Sequence, residues 1–347
     1  MTPQSPAPPP RPPWHPERLA ARRPYLRRRA LLAAATRAFF TARAYTEVET
    51  PYAVPTPGEE VHLRPVRTEF FSVTGERRAL FLHTSPEFAM KKLLAGGAGP
   101  IFQLARVWRN GEAGALHAPE FTMLEWYRAG ADMDGLIAET FSYLRAVLPP
   151  TVTCRGVTTD LSRFERLTLA EAFSRHVGAD LLATADDAPA LAAAARTTLR
   201  DDESWEDLFF RLLLERVEPH LGRSHPTFLT HWPAAQAALA RRDPADPRVA
   251  ERFELFLCGI ELANAFVELT DATEQRARFV ADRARRLALT GPDWPMDEDL
   301  IAALDQGMPP CAGIALGFDR LAMIAAGAPR IADVLWLPPP EPASEPA

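Results

Sequence analysis

Two strand-like runs on either side of the loop 110–119 constrain this chain most: IFQLARVWR at 101–109 and PEFTMLEWYRA at 119–129. β-Branched and aromatic residues with polar punctuation between them predict a pair of strands, which rules out an all-helical fold. Period-two geometry places Phe121, Met123, Glu125 and Tyr127 on one face of the second strand and Thr122, Leu124 and Trp126 on the other. Arg109 then stands at the mouth of the loop. An arginine fork suits a phosphate, an aromatic face suits a purine ring, and a carboxylate on an otherwise apolar face suits a cation. An ordinary hairpin, with a surface arginine and a core glutamate paired to it, would leave the same pattern.

A second cluster, RFELFLCGIELANAFVELTD, spaces Glu254, Glu261 and Glu268 at intervals of seven. On a helix the three would share a face; on strands, a turn at Cys258-Gly259 would bring Glu254 beside Glu261. Either way the reading has three carboxylates converging among apolar neighbours, which calls for a divalent cation or a cationic ligand. A solvated acidic helix face is the alternative. The third cluster, CAGIALGFDRLAMIAAG, reads as an apolar strand to Leu316, a glycine break, and a helix with Asp319 and Arg320 in its first turn. Arg320 opposes the helix dipole there, so it reads as a phosphate ligand, with a salt bridge to a nearby carboxylate as the alternative. Walker A, dinucleotide-fingerprint, His-Glu-x-x-His and Gly-x-Ser-x-Gly sequences are absent.

Around these clusters the chain is organised simply. Its 347 residues, 47% hydrophobic, suffice for one large domain. Proline-dense segments at 1–22 and 338–347 read as flexible tails around a domain at 23–337. A helix is expected at about 25–44 and strands at 66–73 and 79–84 in the central sheet, with Ala- and Leu-rich sequence at 160–250 forming a mostly helical insertion. Helices inserted between strands, rather than alternating with them, indicate an α+β fold. A net charge of -6 gives no basic excess for holding a nucleic-acid backbone. Three cysteines without a Cys-x-x-Cys pair fit a reducing cytoplasm. The arginines at 22–29 precede an apolar run that Thr36 and Arg37 interrupt, so it reads as an amphipathic helix rather than a signal peptide or membrane span.

In chain order, FFTARAYTEVETP, FQLARVWRN with HAPEFTMLEWY, and GIALGFDRLAMI resemble the three motifs of class II aminoacyl-tRNA synthetases. The segments TSPEF, EFTMLEWY and IELANAFVELTDA are similar to lysyl-tRNA synthetases in particular. Only about 25 residues precede the first catalytic helix, too few for the oligonucleotide-binding domain that reads an anticodon. The chain is therefore identified as a member of the elongation factor P (R)-β-lysine ligase family, stand-alone catalytic domains that activate an amino acid with ATP and pass it to a lysine of elongation factor P. The resemblance implies a mostly antiparallel sheet flanked by helices, a homodimer through residues 39–51, and ATP with Mg²⁺.

Residue by residue, the resemblance puts Arg109 on the α-phosphate, Phe121 on adenine and Arg320 on the terminal phosphate, Arg109 and Arg320 being the catalytic pair. Asn110, Glu112, His117, Glu261, Leu262 and Gly317 would complete the ATP site. Glu254 and Glu261 would hold Mg²⁺. Ser85, Pro86, Glu87, Glu125, Tyr127, Asn264, Phe266, Glu268 and Ala315 would surround the amino acid. Ala315 stands where lysyl-tRNA synthetases have glycine, and its methyl would bias the choice from α- to β-lysine. The chain departs from the family at Gly111, which displaces the adenine-contacting glutamate by one position, at Ala118 in place of asparagine, and at Ala265 in place of glycine. A tRNA-charging enzyme and a catalytically silent regulatory paralogue are the rival readings.

Overall fold

A computed structural model describes residues 11–290 and 293–339. Its centre is an eight-stranded mixed sheet in the order β1-β5-β6-β13-β12-β11-β10-β9. The two expected strands form its heart as β5 (Ile101–Trp108) and β6 (Glu120–Ala129), paired antiparallel with Gln103 opposite Glu125. Next to β6 runs β13 (Cys311–Gly317), antiparallel, with Ala315 opposite Glu125 and Gly313 opposite Tyr127. Beyond it lie β12 (Ile260–Val267), β11 (Val249–Leu257) and β10 (Thr227–Pro233), all antiparallel. The edges are β1 (Thr46–Glu47) and β9 (Glu165–Thr168), each parallel to its neighbour. The second acidic cluster is thus a hairpin and not a helix, with Cys258 and Gly259 turning in the left-handed region at φ 55° and 70°.

One face of the sheet packs against α1 (Pro16–Thr41), α3 (Met133–Val147) and α9 (Phe318–Ala326). Leu124, Trp126, Ile314, Leu316, Ala263 and Ala265 point into this core, where Phe40 stacks on Phe102. The opposite face carries two smaller cores. At one end α2 (Glu87–Ala95) and α8 (Glu298–Gly307) cover Ile101, Tyr127 and Cys311. At the other, α4 (Leu169–His176), α5 (Ala188–Ala194) and α6 (Trp205–Leu212) cover Leu229, Trp232 and Phe256. The sheet between these cores is left uncovered, and there the site lies.

Three expectations need correction, and the structure adds a detail to a further segment. The first helix starts at Pro16, where a proline lacking N–H is tolerated, so residues 16–22 are not part of a tail. Arg22 is buried there and donates to the carbonyl of Leu335 at 2.7 Å. The remainder of the expected tails, 1–10 and 340–347, lies outside the described residues. β3 (Val66–Phe71) and β4 (Arg77–Leu82) belong not to the central sheet but to a small separate one with β2 (Ala53–Val54). The α-helices of the segment 160–250 all lie between β9 and β10, because those strands supply one edge of the main sheet. Finally, the aromatic residues of the segment 39–51 point inward: Phe39, Phe40 and Tyr45 are all core. Among the described residues no helix is long and apolar enough to cross a membrane.

Candidate active site

Strand pleating decides which side chains face the uncovered part of the sheet. On β6 these are Phe121, Met123, Glu125 and Tyr127, as the alternation predicts. β13 presents Gly313, Ala315 and Gly317, and β12 presents Asn264 and Phe266, which pair with Ala315 and Gly313. Glu261 has the wrong parity to join them on a regular strand. A bulge resolves this: Ala263 pairs with Leu255 but Glu261 pairs with Phe256, so Leu262 is an extra residue and Glu261 turns to the site face. Leu262 itself is buried and borders the cavity.

The resulting cavity, about 750 Å³, has a cationic end and an acidic end. At the cationic end Arg109 lies over the Phe121 ring, 5.3 Å from its centroid, and its buried Nε has no hydrogen-bond partner among the described residues. Arg320 donates to the Glu261 carbonyl at 2.7 Å, pairs with the Glu261 carboxylate at 3.4 Å and lies 2.7 Å from His117 Nε2. Burial, reinforced by Arg320, lowers the His117 pKa, so a neutral imidazole stands beside the guanidinium. Glu112 lines the cavity 3.9 Å from Arg109. Asn110 is exposed and off the cavity wall, its N–H donating to the Arg64 carbonyl at 2.7 Å. Gly111 has φ 86°, a conformation that suits glycine.

Behind Glu261, Glu254 is buried and accepts from Arg252 at 2.8 Å. Burial and then the charge of Glu261 push its pKa up, and the same two causes push up Glu218, to about 7. These three carboxylates repel one another, an arrangement that a cation would relieve. Among the described residues no group of three or more His, Cys, Asp or Glu side chains forms a closed metal cage. The donor set fits a cation that completes its shell with water and phosphate oxygens, as Mg²⁺ does.

At the acidic end Glu125 is completely buried and accepts from Ser85 Oγ at 2.6 Å and Tyr127 OH at 3.1 Å, not from an arginine. Burial, with Glu87 adding, raises its pKa to about 8. Glu87 opens α2, capped by Pro86, and Glu268 follows β12. Glu268 is 2% exposed, and its Oε1 has no hydrogen-bond partner among the described residues. A methyl on Gly313 would overlap the Tyr127 ring and come within 2.7 Å of that oxygen, so only glycine leaves room here. Glu268 therefore does not converge with Glu254 and Glu261. A β-strand extends the seven-residue interval that a helix would have folded onto one face, and sends the carboxylates to opposite ends of the cavity.

The structure adds residues that the motifs did not single out. Lys91, 2% exposed, bridges Glu87 and Glu268, and Glu60 lines the cavity beside Glu87. Arg29 of α1 pairs with Asp319 at 2.6 Å, while Asp319 also accepts the Thr122 N–H at 2.8 Å. That contact ties β6 to α1 and to the start of α9, which directly follows β13. The four-residue spacing of Glu87 and Lys91 was the one visible signal.

A family model described as tRNA synthetases class II (D, K and N) matches residues 18–340. This chain belongs to the class II tRNA synthetases. The match spans the strand-loop-strand at β5–β6 and the strand-helix at β13–α9. Curated relatives include proteins named elongation factor P–(R)-β-lysine ligase. The one from Klebsiella pneumoniae subsp. pneumoniae is 46% identical over 93% of this chain and 96% of its own length. Those from Sodalis glossinidius, 46% identical over 89% and 93%, and Pectobacterium carotovorum, 45% over 93% and 96%, bear the same name.

Proposed function

We propose that the chain activates (R)-β-lysine, or lysine, with ATP and transfers it to a lysine side chain of elongation factor P. One observation carries this reading: a single cavity has Arg109 and Arg320 at one end and Glu87 and Glu268 at the other, with Glu125 buried directly behind the lining residues Ser85 and Tyr127. A nucleotide triphosphate needs the first and a doubly cationic amino acid needs the second. The names of the relatives supply the acceptor.

In this reading the amino-acid carboxylate attacks the α-phosphorus of ATP, and pyrophosphate leaves along the line of attack. The acceptor amine then attacks the adenylate carbonyl, AMP leaves, and the amine's proton passes to solvent. Arg109, whose buried Nε has no hydrogen-bond partner among the described residues, stabilises the extra charge on the α-phosphate. Arg320 holds the terminal phosphate, Phe121 stacks on adenine, and the carboxylates fix the ammonium groups so that the substrate carboxylate faces the phosphate. Glu254 and Glu261 are the residues that would hold Mg²⁺, which neutralises phosphate charge when bound. The buried free thiols of Cys154, Cys258 and Cys311 suit a cytoplasmic setting. We assign the homodimer contact to the exposed residues around Glu47, Glu49 and Tyr52, since the aromatic residues before them are core.

The test is amino-acid-dependent ATP–pyrophosphate exchange with α- and β-lysine, followed by mass spectrometry of elongation factor P after incubation. Exchange together with a mass gain of one β-lysyl or lysyl group is expected. Exchange with acylation of tRNA and no gain on the protein would favour a tRNA-charging enzyme. Silence with both isomers would leave a regulatory paralogue.

A further inference from the structure

Lys91 lies on α2, and at 2% exposure it is among the most buried charged side chains in the molecule. Its Nζ is 2.6 Å from Glu87 Oε1, one helical turn back, and 2.6 Å from Glu268 Oε2, which arrives from the far end of β12. A lysine serving only to pack α2 would do better as methionine or leucine, because burying an ammonium costs several kcal/mol before its partners offset it. Both partners, moreover, are cavity-lining carboxylates.

We propose that Lys91 is a positioning residue for the amino-acid substrate: it ties down one oxygen of Glu87 and one of Glu268 and so presents their remaining oxygens to the substrate's ammonium groups. Glu268 Oε1 is that oxygen, buried, beside Gly313 and Tyr127 and without a hydrogen-bond or ion-pair partner among the described residues, whereas Oε2, also without a hydrogen bond, has the ion pair with Lys91. Lys91 also offsets the mutual repulsion of carboxylates at this end. Glu60 faces Glu87 from the loop before β3, Glu125 and Tyr127 face them from β6, and Cys311 opens β13 beside Glu268. The Cys311 thiol, pushed up to about 12 by burial and Glu268, stays neutral, and so does the Tyr127 hydroxyl, raised by burial. Burial raises the Glu268 carboxyl to about 7, and Lys91 is the ammonium that draws it back toward the ionised, accepting form.

The inference rests on reading the cavity as an amino-acid site, and its test keeps the two apart. Exchange is measured on the full chain for wild type, Lys91→Gln and Lys91→Met, with β-lysine and α-lysine. Wild-type exchange with neither isomer overturns the functional reading itself. Given an active wild type, both variants should raise the KM for the amino acid at least tenfold and leave the KM for ATP within twofold. The acid limb of kcat/KM for the amino acid should move to higher pH, since the carboxylates lose their cation, and Lys91→Arg should restore part of the loss. Should Lys91→Met not fold, Lys91→Gln, which keeps the length and a donor, reads the same quantities. An unchanged amino-acid KM with an unmoved limb, or equal losses for both substrates, would show a packing role only and overturn the proposal.

Discussion

Glu125 concentrates the electrostatics of the acidic end in one residue. With its pKa raised to about 8 from an unfolded value of 4.5, it is mostly protonated at pH 7. The sign for stability follows: the folded state is favoured at low pH, where the group is neutral in both states, and loses that advantage as pH rises toward 8. Ammonium binding favours the ionised form, so it must expel the proton. Calorimetry at pH 7 in two buffers of different ionisation heat should therefore detect proton release on amino-acid binding, and affinity should rise roughly fivefold from pH 7 to 8. Identical heats in both buffers would contradict this. Ala315, opposite Glu125 in the strand register, adds a steric element. Ala315→Gly should lower the preference for β- over α-lysine roughly tenfold in exchange assays, the value of one methyl in a packed pocket. Both residues were legible in sequence, Glu125 because strand alternation fixes its face. Lys91 was not, since Glu87 and Lys91 four apart read as a surface helix pair until Glu268, distant in sequence, closes over them.

At the scale of elements, the site depends on two strands being held from the core side. Asp319 at the start of α9 accepts from Arg29 of α1 and from the Thr122 N–H of β6, so one carboxylate joins three elements. Asp319→Ala would leave a nearly buried guanidinium and a strand N–H unpaired, and should lower stability by about 3 kcal/mol, seen as a drop in Tm. Arg29→Met/Asp319→Ala should recover part of that loss, because removing both charges costs less than stranding one. A double variant no more stable than the single one would mean the Thr122 bond dominates. The regular strands β5, β6 and β13 could be read from pattern alone. The bulge at Leu262 could not: nothing local marks it, and it appears only when β11 and β12 pair. Likewise β9 and β10 are strands flanking helix-rich sequence, and they gain their identity from pairing, β10 on β11 and β9 on β10.

Across the whole molecule, β12 acts as a ruler. Glu261 and Glu268 stand seven residues apart along it, a separation of roughly 20 Å at strand rise, one at each end of the cavity. The core under α1, α3 and α9 fixes the strand's inner face, and the two smaller cores clamp the outer face at either side of the opening. In the proposed function such a frame would separate recognition of the two substrates in space while keeping their reacting ends together. Glu268→Gln should therefore weaken amino-acid binding at least tenfold and change ATP affinity less than twofold. Glu261→Gln, which removes a metal-directed carboxylate and the partner of Arg320, should do the reverse and raise the Mg²⁺ concentration needed for half-maximal exchange. Binding free energies of the double variant should add to within about 0.5 kcal/mol, as expected for sites this far apart. Strong coupling between them would instead mean that β12 shifts as a unit and that the cavity ends are not independently built.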